Sequence, residues 1–252
     1  GPGRTPGVLL TLVAEEETGG AGTAALVPAL LARGPAPAAA IIGEPTGLDV
    51  AVAQKGLLVL ELRAEGRSCH AAHGRALGAP NALRRLAHDL VALDAVDLGP
   101  PHPTLGPVTV EPTVATGGTA RNMIPAEAAC VLDVRTNPAP DPAQTLARLR
   151  AAVTGELRVL SDRLRPCAID PGHALVRAAQ RARPAARLFG SRGLSDLVFF
   201  AAAGVPAIKV GPGETERSHT ADEFVLEDEI LAGARFYEET ALAWAAPQEP
   251  LP

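Results

Sequence analysis

Lysine is nearly absent from this chain. Of its 252 residues only Lys55 and Lys209 are lysines, and the other basic residues are arginines. The formal net charge is −5, with no long basic run, so the electrostatic footprint of a nucleic-acid binder is missing. Aromatic residues make up only 3%. The core must therefore be built from Leu, Val and Ala, and the 47% apolar content supplies enough of them for one or two domains. No apolar stretch reaches the roughly 20 residues of a membrane-spanning helix. The first residues lack the charged-then-apolar pattern of a signal peptide. Cys69, Cys130 and Cys167 are far apart and form no Cys-x-x-Cys pair. That argues against a zinc knuckle or a dithiol redox motif and fits a reducing, cytoplasmic setting.

What the chain does have is an acidic triplet. Glu15-Glu16-Glu17 follows directly on the apolar run Val8-Leu9-Leu10-Thr11-Leu12-Val13. An isolated acidic triplet is ordinarily a solvated loop. At the end of a strand, however, adjacent carboxylates repel and shift each other's pKa, and a divalent metal is the usual remedy. Two further segments strengthen the metal reading. Glu44 follows the short apolar strand Ala38–Ile42 and precedes the turn Pro45-Thr46. His219 follows a glycine-rich turn, Gly211-Pro212-Gly213, that ends the strand Pro206–Val210. Glu, Glu and His delivered at three strand ends match the oxygen and nitrogen ligand set of zinc. Asp222 or Glu223 is placed to orient the second ring nitrogen of His219.

The order of elements gives an α/β fold. Residues 1–54 alternate strand and helix, with a helix near Thr23–Arg33 that contains Pro28, and this indicates a parallel-rich sheet covered on both faces. In such sheets the site lies at the carboxyl ends of the strands. From about residue 55 to 161 the pattern becomes β-α-β-β-α-β. Strands are expected at Leu57–Ala64, Pro107–Val114, Ala126–Arg135 and Leu157–Leu160, and helices at Asn81–Ala95 and Pro142–Thr154. This is the split, ferredoxin-like order of an α+β domain. Residues 162–252 return to α/β character. Helices are expected at Ala174–Arg183, at Ser195–Ala203 with Ser195 as N-cap, and over 226–245.

Seven segments, in order, give the chain a specific resemblance. They are Glu15-Glu16-Glu17-Thr18, Gly43-Glu44-Pro45-Thr46, Lys55-Gly56, Gly66-Arg67-Ser68-Cys69-His70-Ala71-Ala72, Gly117-Gly118-Thr119-Ala120-Arg121-Asn122-Met123-Ile124-Pro125, Asp133-Val134-Arg135 and His219-Thr220-Ala221-Asp222-Glu223-Phe224. Together they resemble the dizinc aminoacylase and deacetylase superfamily of metallopeptidases. It includes acetylornithine deacetylase, succinyl-diaminopimelate desuccinylase, acetyl-lysine deacetylase and carboxypeptidase relatives. The resemblance implies a catalytic domain in two sequence parts around an inserted dimerisation domain. It also implies two Zn2+ per active site, with Co2+ as a substitute, a homodimer, and a small N-acyl amino acid or dipeptide substrate.

By position, the resemblance makes Glu16 the general base, Glu17 and His219 ligands of one zinc, and Glu44 a ligand of the other. It makes His70 the histidine that reaches across the dimer to the oxyanion. It assigns Asn122 and Arg135 to the substrate's carboxylate or backbone. The chain also departs from the pattern. The superfamily's His-x-Asp histidine and its bridging aspartate normally precede the glutamate pair, yet residues 1–14 hold neither His nor Asp. None of the six histidines is followed two positions later by Asp. The expectation is a chain that lacks the first part of its catalytic domain. Gly193-Leu194-Ser195-Asp196 resembles the Gly-Thr-Ser-Asp of the desuccinylase branch, whereas the Gly211 and His219 segments lean to the deacetylases of amino-acid (arginine) biosynthesis.

Overall fold

Residues 7–246 are described by the computed structural model. The run Val8–Val13, expected as a strand, is not one. It joins no ladder among the described residues, and its side chains lie in solvent, with Leu10 81% and Leu12 89% exposed. A strand needs a partner for its N–H and C=O groups, and apolar sequence alone does not provide it. Glu16 and Glu17 therefore open a short helix, α1 (Glu16–Gly19), rather than close a strand. Glu15 enters it in the left-handed region at φ 64°. Gly20, at φ 68°, then turns the chain into α2 (Ala21–Arg33), which accommodates Pro28. β1 (Ala40–Ile42) follows. A short turn with positive φ at Gly47 and Leu48 leads into β2 (Val50–Gln54), in which every residue is buried.

The next stretch forms its own sheet. β3 (Gly56–Glu65) alternates strictly, with Leu58, Leu60 and Leu62 inward. After it come β4 (Cys69–His70), a single 3-10 turn at Ala71–His73, α3 (Ala82–Asp94), β5 (Thr109–Gly117), β6 (Met123–Ile124), β7 (Glu127–Thr136), α4 (Pro142–Ala152) and β8 (Glu156–Leu164). The strand order is β5-β7-β3-β8 and every pairing is antiparallel. This is the split βαβ arrangement, with the two long central strands side by side. Leu60, Leu62, Cys130, Leu132 and Val134 form its core with Leu86 of α3 and Leu149 of α4. Both helices are capped from sequence. The Asn81 side chain accepts from the Arg84 N–H, and Asp141 with Gln144 forms a reciprocal capping box.

The chain then returns through β9 (Cys167–Ala168), α5 (Ala174–Ala182), β10 (Leu188–Ser191), α6 (Leu197–Ala202), β11 (Ala207–Lys209) and α7 (Glu227–Ala245). The sheet order is β1-β11-β2-β10, with β9 also on β2. β1/β11 and β2/β10 are parallel, whereas β2 runs antiparallel to β11 and β9. The sheet is therefore mixed. β2 runs opposite to β1 with β11 between them, and the connection over residues 43–49 is shorter than the dozen or more residues a parallel crossover needs. α6 begins one residue later than expected. Asp196 is its N-cap residue, and the Ser195 hydroxyl instead donates to Gln54 Oε1 at 2.6 Å. The chain divides into two compact units, Lys55–Pro166 and the residues on either side of it.

Candidate active site

In the first unit, backbone hydrogen bonds bring together segments far apart in sequence. The Thr46 N–H donates to the Gly211 carbonyl at 3.2 Å, and the Gly211 N–H donates to Thr46 Oγ1 at 3.2 Å. The Gly47 N–H donates to the Gly213 carbonyl at 2.7 Å. Gly211 is required here, because a Cβ on it would lie 2.7 Å from the Glu44 carbonyl oxygen and 2.7 Å from the Tyr237 hydroxyl. The glycine-rich turn after β11 is thus the bed on which Glu44 rests.

Burial and neighbouring charge perturb the carboxylates of this region. Burial, together with Glu16, Asp196 and Glu17, pushes Glu44 up to about 7 against the pull of Lys209. Glu16 is also raised, first by burial, then by Asp196 and Glu17, with Lys209 and His219 opposing. Asp196 is only 6% exposed and accepts from Thr23 Oγ1 at 2.5 Å, which ties α6 to α2. The Tyr237 phenol, buried and close to Glu44, is raised and donates to the Val210 carbonyl at 2.9 Å.

His219 lies in the loop after β11 with φ 59°, a left-handed conformation uncommon for a residue with a Cβ. Such strain persists where surrounding contacts enforce it. Here the His219 N–H donates to Glu223 Oε2 at 3.0 Å, and Thr220 Oγ1 donates to the Arg217 carbonyl at 2.7 Å. Glu223 therefore holds the backbone of the loop rather than the ring. Arg217 anchors the loop to α7 through both oxygens of Glu229, at 2.8 and 3.0 Å, and stacks on Phe224. His219 Nε2 is 3.7 Å from Glu17 Oε2, and both side chains are largely exposed.

That spacing can be tested against a metal. Tetrahedral bonds of about 2.0–2.2 Å set two donors about 3.4 Å apart. The Glu17–His219 pair, one oxygen and one nitrogen donor, fits two positions around one ion. Among the described residues no group of three His, Cys, Asp or Glu side chains is gathered to hold a metal. The donor set is open, and Glu44 is not drawn into the Glu17–His219 pair.

The other expected residues lie in the second unit. The two-strand ladder β4–β6 pairs His70 with Met123, and the Ala71 N–H donates to the Asn122 carbonyl at 2.8 Å. His70 and Asn122 are therefore neighbours. The Ala72 N–H donates to His70 Nδ1 at 3.2 Å. An accepting Nδ1 places the ring proton of the neutral imidazole on Nε2, which becomes a donor. Gly66 makes this juxtaposition possible, because a Cβ there would lie 2.6 Å from the carbonyls of both Pro80 and Pro125. Arg135 is engaged with its own strand neighbour, in a two-bond contact to Asp133 at 2.7 and 2.9 Å.

Asp196, Lys209 and Tyr237 join the site although sequence reasoning did not single them out. For Lys209 the signal was present: a lone lysine between Ile208 and Val210 in an apolar strand.

A mixed α/β unit is thus interrupted in sequence by a split βαβ unit. Residues 52–159 match the model of the M20 peptidase dimerisation domain. The chain is 35% identical over 164 residues to the succinyl-diaminopimelate desuccinylase of Paracoccus denitrificans, covering 60% of this chain and 42% of that protein. It is 28% identical over 243 residues to the acetylornithine deacetylase of Myxococcus xanthus, covering 89% of this chain and 61% of that protein. The aminopeptidase PepT of Bacillus cereus superposes with a TM-score of 0.75 at 19% identity, over 93% of this chain and 63% of that one. An M20 family metallo-carboxypeptidase of Sulfolobus solfataricus superposes with a TM-score of 0.69 at 17% identity, over 92% and 69% of the two chains. Residues 52–159 thus match the M20 dimerisation domain, and the chain is similar to desuccinylase and deacetylase relatives of that family. It spans about half the length of these curated relatives.

Proposed function

We propose that this chain is part of a zinc-dependent hydrolase that cleaves the amide bond of an N-acyl amino acid, with N-acetylornithine-like substrates as the leading class. The observation that carries the reading is the Glu16 carboxyl. It is raised by burial and by Asp196 and Glu17, next in sequence to the Glu17–His219 donor pair. A general base needs a pKa tuned toward the working pH and a position beside the water it activates.

In this reading Glu17 and His219 hold one Zn2+ and Glu44 contributes to a second, with Co2+ able to substitute. Zinc, when bound, supplies Lewis acidity and lowers the pKa of water to about 7. Glu16 takes the proton from the attacking water as the new C–O bond forms, then delivers it to the nitrogen as the C–N bond breaks. His70 Nε2–H, arriving from the partner of a homodimer, donates to the developing oxyanion, a contact typically worth about 100- to 1000-fold in rate. Asn122 and Arg135 bind the amino-acid carboxylate, and Arg135 exchanges Asp133 for the substrate when it does so. The two further ligands of the superfamily, a His-x-Asp histidine and a bridging aspartate, have no counterpart in residues 1–14.

A desuccinylase is the second reading, favoured by the higher identity to that relative over a shorter span. Turnover with zinc on N-acetylornithine, N-acetylcitrulline, N-acetyl-lysine and N-succinyl-diaminopimelate separates the two. Glu16→Gln is expected to lower turnover about 100-fold or more while zinc uptake persists. Near-normal turnover by that variant overturns the base assignment.

A further inference from the structure

The loop that carries His219 is not held by a core. Every residue from His219 to Asp228 is exposed, yet His219 keeps its left-handed φ of 59°. Polar ties fix the backbone instead. At the near end, the 3-10 turn Thr215–Arg217 joins the loop to the segment after Glu44, because Thr215 Oγ1 donates to the Pro45 carbonyl at 2.6 Å. The Ser218 N–H donates to the Thr215 carbonyl at 3.1 Å. At the far end, the loop runs into α7 at Leu226. Arg217 links the two ends. Its guanidinium donates to both oxygens of Glu229, at 2.8 and 3.0 Å, and its central carbon lies 4.5 Å from the centre of the Phe224 ring. Glu229 Oε2 also accepts from the Leu226 N–H at 2.8 Å, so one carboxylate caps α7 and grips Arg217. Thr220 Oγ1 donates to the Arg217 carbonyl at 2.7 Å inside this frame. A flat, delocalised cation can meet a carboxylate and lie on an aromatic ring at once, which an ammonium does not reproduce.

We propose that Arg217 is a positioning residue: held by Glu229 and Phe224, it closes residues 218–226 into a fixed loop and so sets His219 Nε2 3.7 Å from Glu17 Oε2. The clamp stands on contacts within the chain. Its consequence for Zn2+ binding rests on the metal reading given under Proposed function. A donor already in place loses little freedom when an ion arrives, so a pre-ordered loop strengthens binding.

Two variants separate the parts of the clamp. Arg217→Lys keeps the charge and loses the planar fork. Glu229→Gln keeps an acceptor for the Leu226 N–H and loses the second anionic oxygen. Amide hydrogen exchange of the full chain in EDTA tests the clamp. In each variant the Ser218 and His219 N–H groups should exchange roughly tenfold faster, with the α7 amides of residues 233–240 unchanged. The double variant should add less than about twofold, because both changes break the same contact. Unchanged loop exchange, additive effects, or equal acceleration along α7 overturns the clamp. Zn2+ titration by calorimetry tests the consequence. Arg217→Lys is expected to bind roughly tenfold more weakly while the urea midpoint hardly moves, since a partly exposed ion pair adds little to global stability. Unchanged affinity, or a loss matched by an equal loss of global stability, overturns the positioning role. If the native chain takes up no Zn2+ while loop exchange responds as expected, the metal reading fails and the clamp stands. If Arg217→Lys does not fold, Glu229→Gln and Phe224→Leu, which removes the ring alone, are judged by the same criteria.

Discussion

At the scale of single residues, burial raises the Glu44 and Glu16 carboxyls of the first unit. Glu44 is raised to about 7 from an ordinary 4.5, with burial as the largest cause. A carboxyl raised on folding favours the folded state below its unfolded pKa, and that advantage is lost as pH climbs through the folded value. Stability in EDTA should therefore fall between about pH 4.5 and 7. Glu44→Gln should flatten that slope, giving a gain at pH 8 that is absent at pH 5, as read by urea midpoints. Thiol chemistry offers an independent check. Burial pushes Cys167 up to about 12 and also raises Cys130, whereas Cys69 is partly exposed. Alkylation of the native chain near pH 8, followed by peptide mass mapping, should label Cys69 and spare the other two.

At the scale of elements, glycines and buried caps fix the loops that carry the site. Gly211→Ala would press a methyl group onto the Glu44 carbonyl oxygen and the Tyr237 hydroxyl, so it should lower the melting temperature and, on the proposed metal reading, also weaken Zn2+ binding measured by calorimetry. Asp89 shows how a helix residue can hold a distant loop. It is 3% exposed, and its carboxylate accepts from the N–H groups of Thr154 and Gly155 at 2.9 and 2.8 Å and from Thr154 Oγ1 at 3.0 Å. Asp89→Ala leaves those donors unpaired and should destabilise the second unit by about 2–4 kcal/mol in chemical denaturation. The helices expected at Asn81–Ala95 and Pro142–Thr154 are present as α3 and α4, and the structure caps them locally at Asn81 and Asp141. The short ladder β4–β6 was not legible in the sequence, because two-residue strands carry no period to read.

At the scale of the whole molecule, Lys55–Pro166 is compact and coincides closely with the matched dimerisation domain. Produced alone, it should unfold in one cooperative transition. If it carries the proposed homodimer, light scattering should give twice the chain mass. No helix among the described residues is long and apolar enough to cross a membrane.

By itself the sequence determined the split βαβ unit, because strict alternation in β3 and β7 and capped amphipathic helices leave little choice of pairing. It also determined which residue types were available for metal and proton chemistry. Only the tertiary structure decided that Val8–Val13 forms no strand among the described residues, because a strand exists only when another one pairs with it. It alone showed that the Tyr237 hydroxyl and the Glu44 backbone meet at Gly211, that Asp196 and Lys209 are buried, and that Glu223 secures the loop backbone. Burial and Coulomb interaction depend on distance in space, and these groups are separated by up to about two hundred residues along the chain.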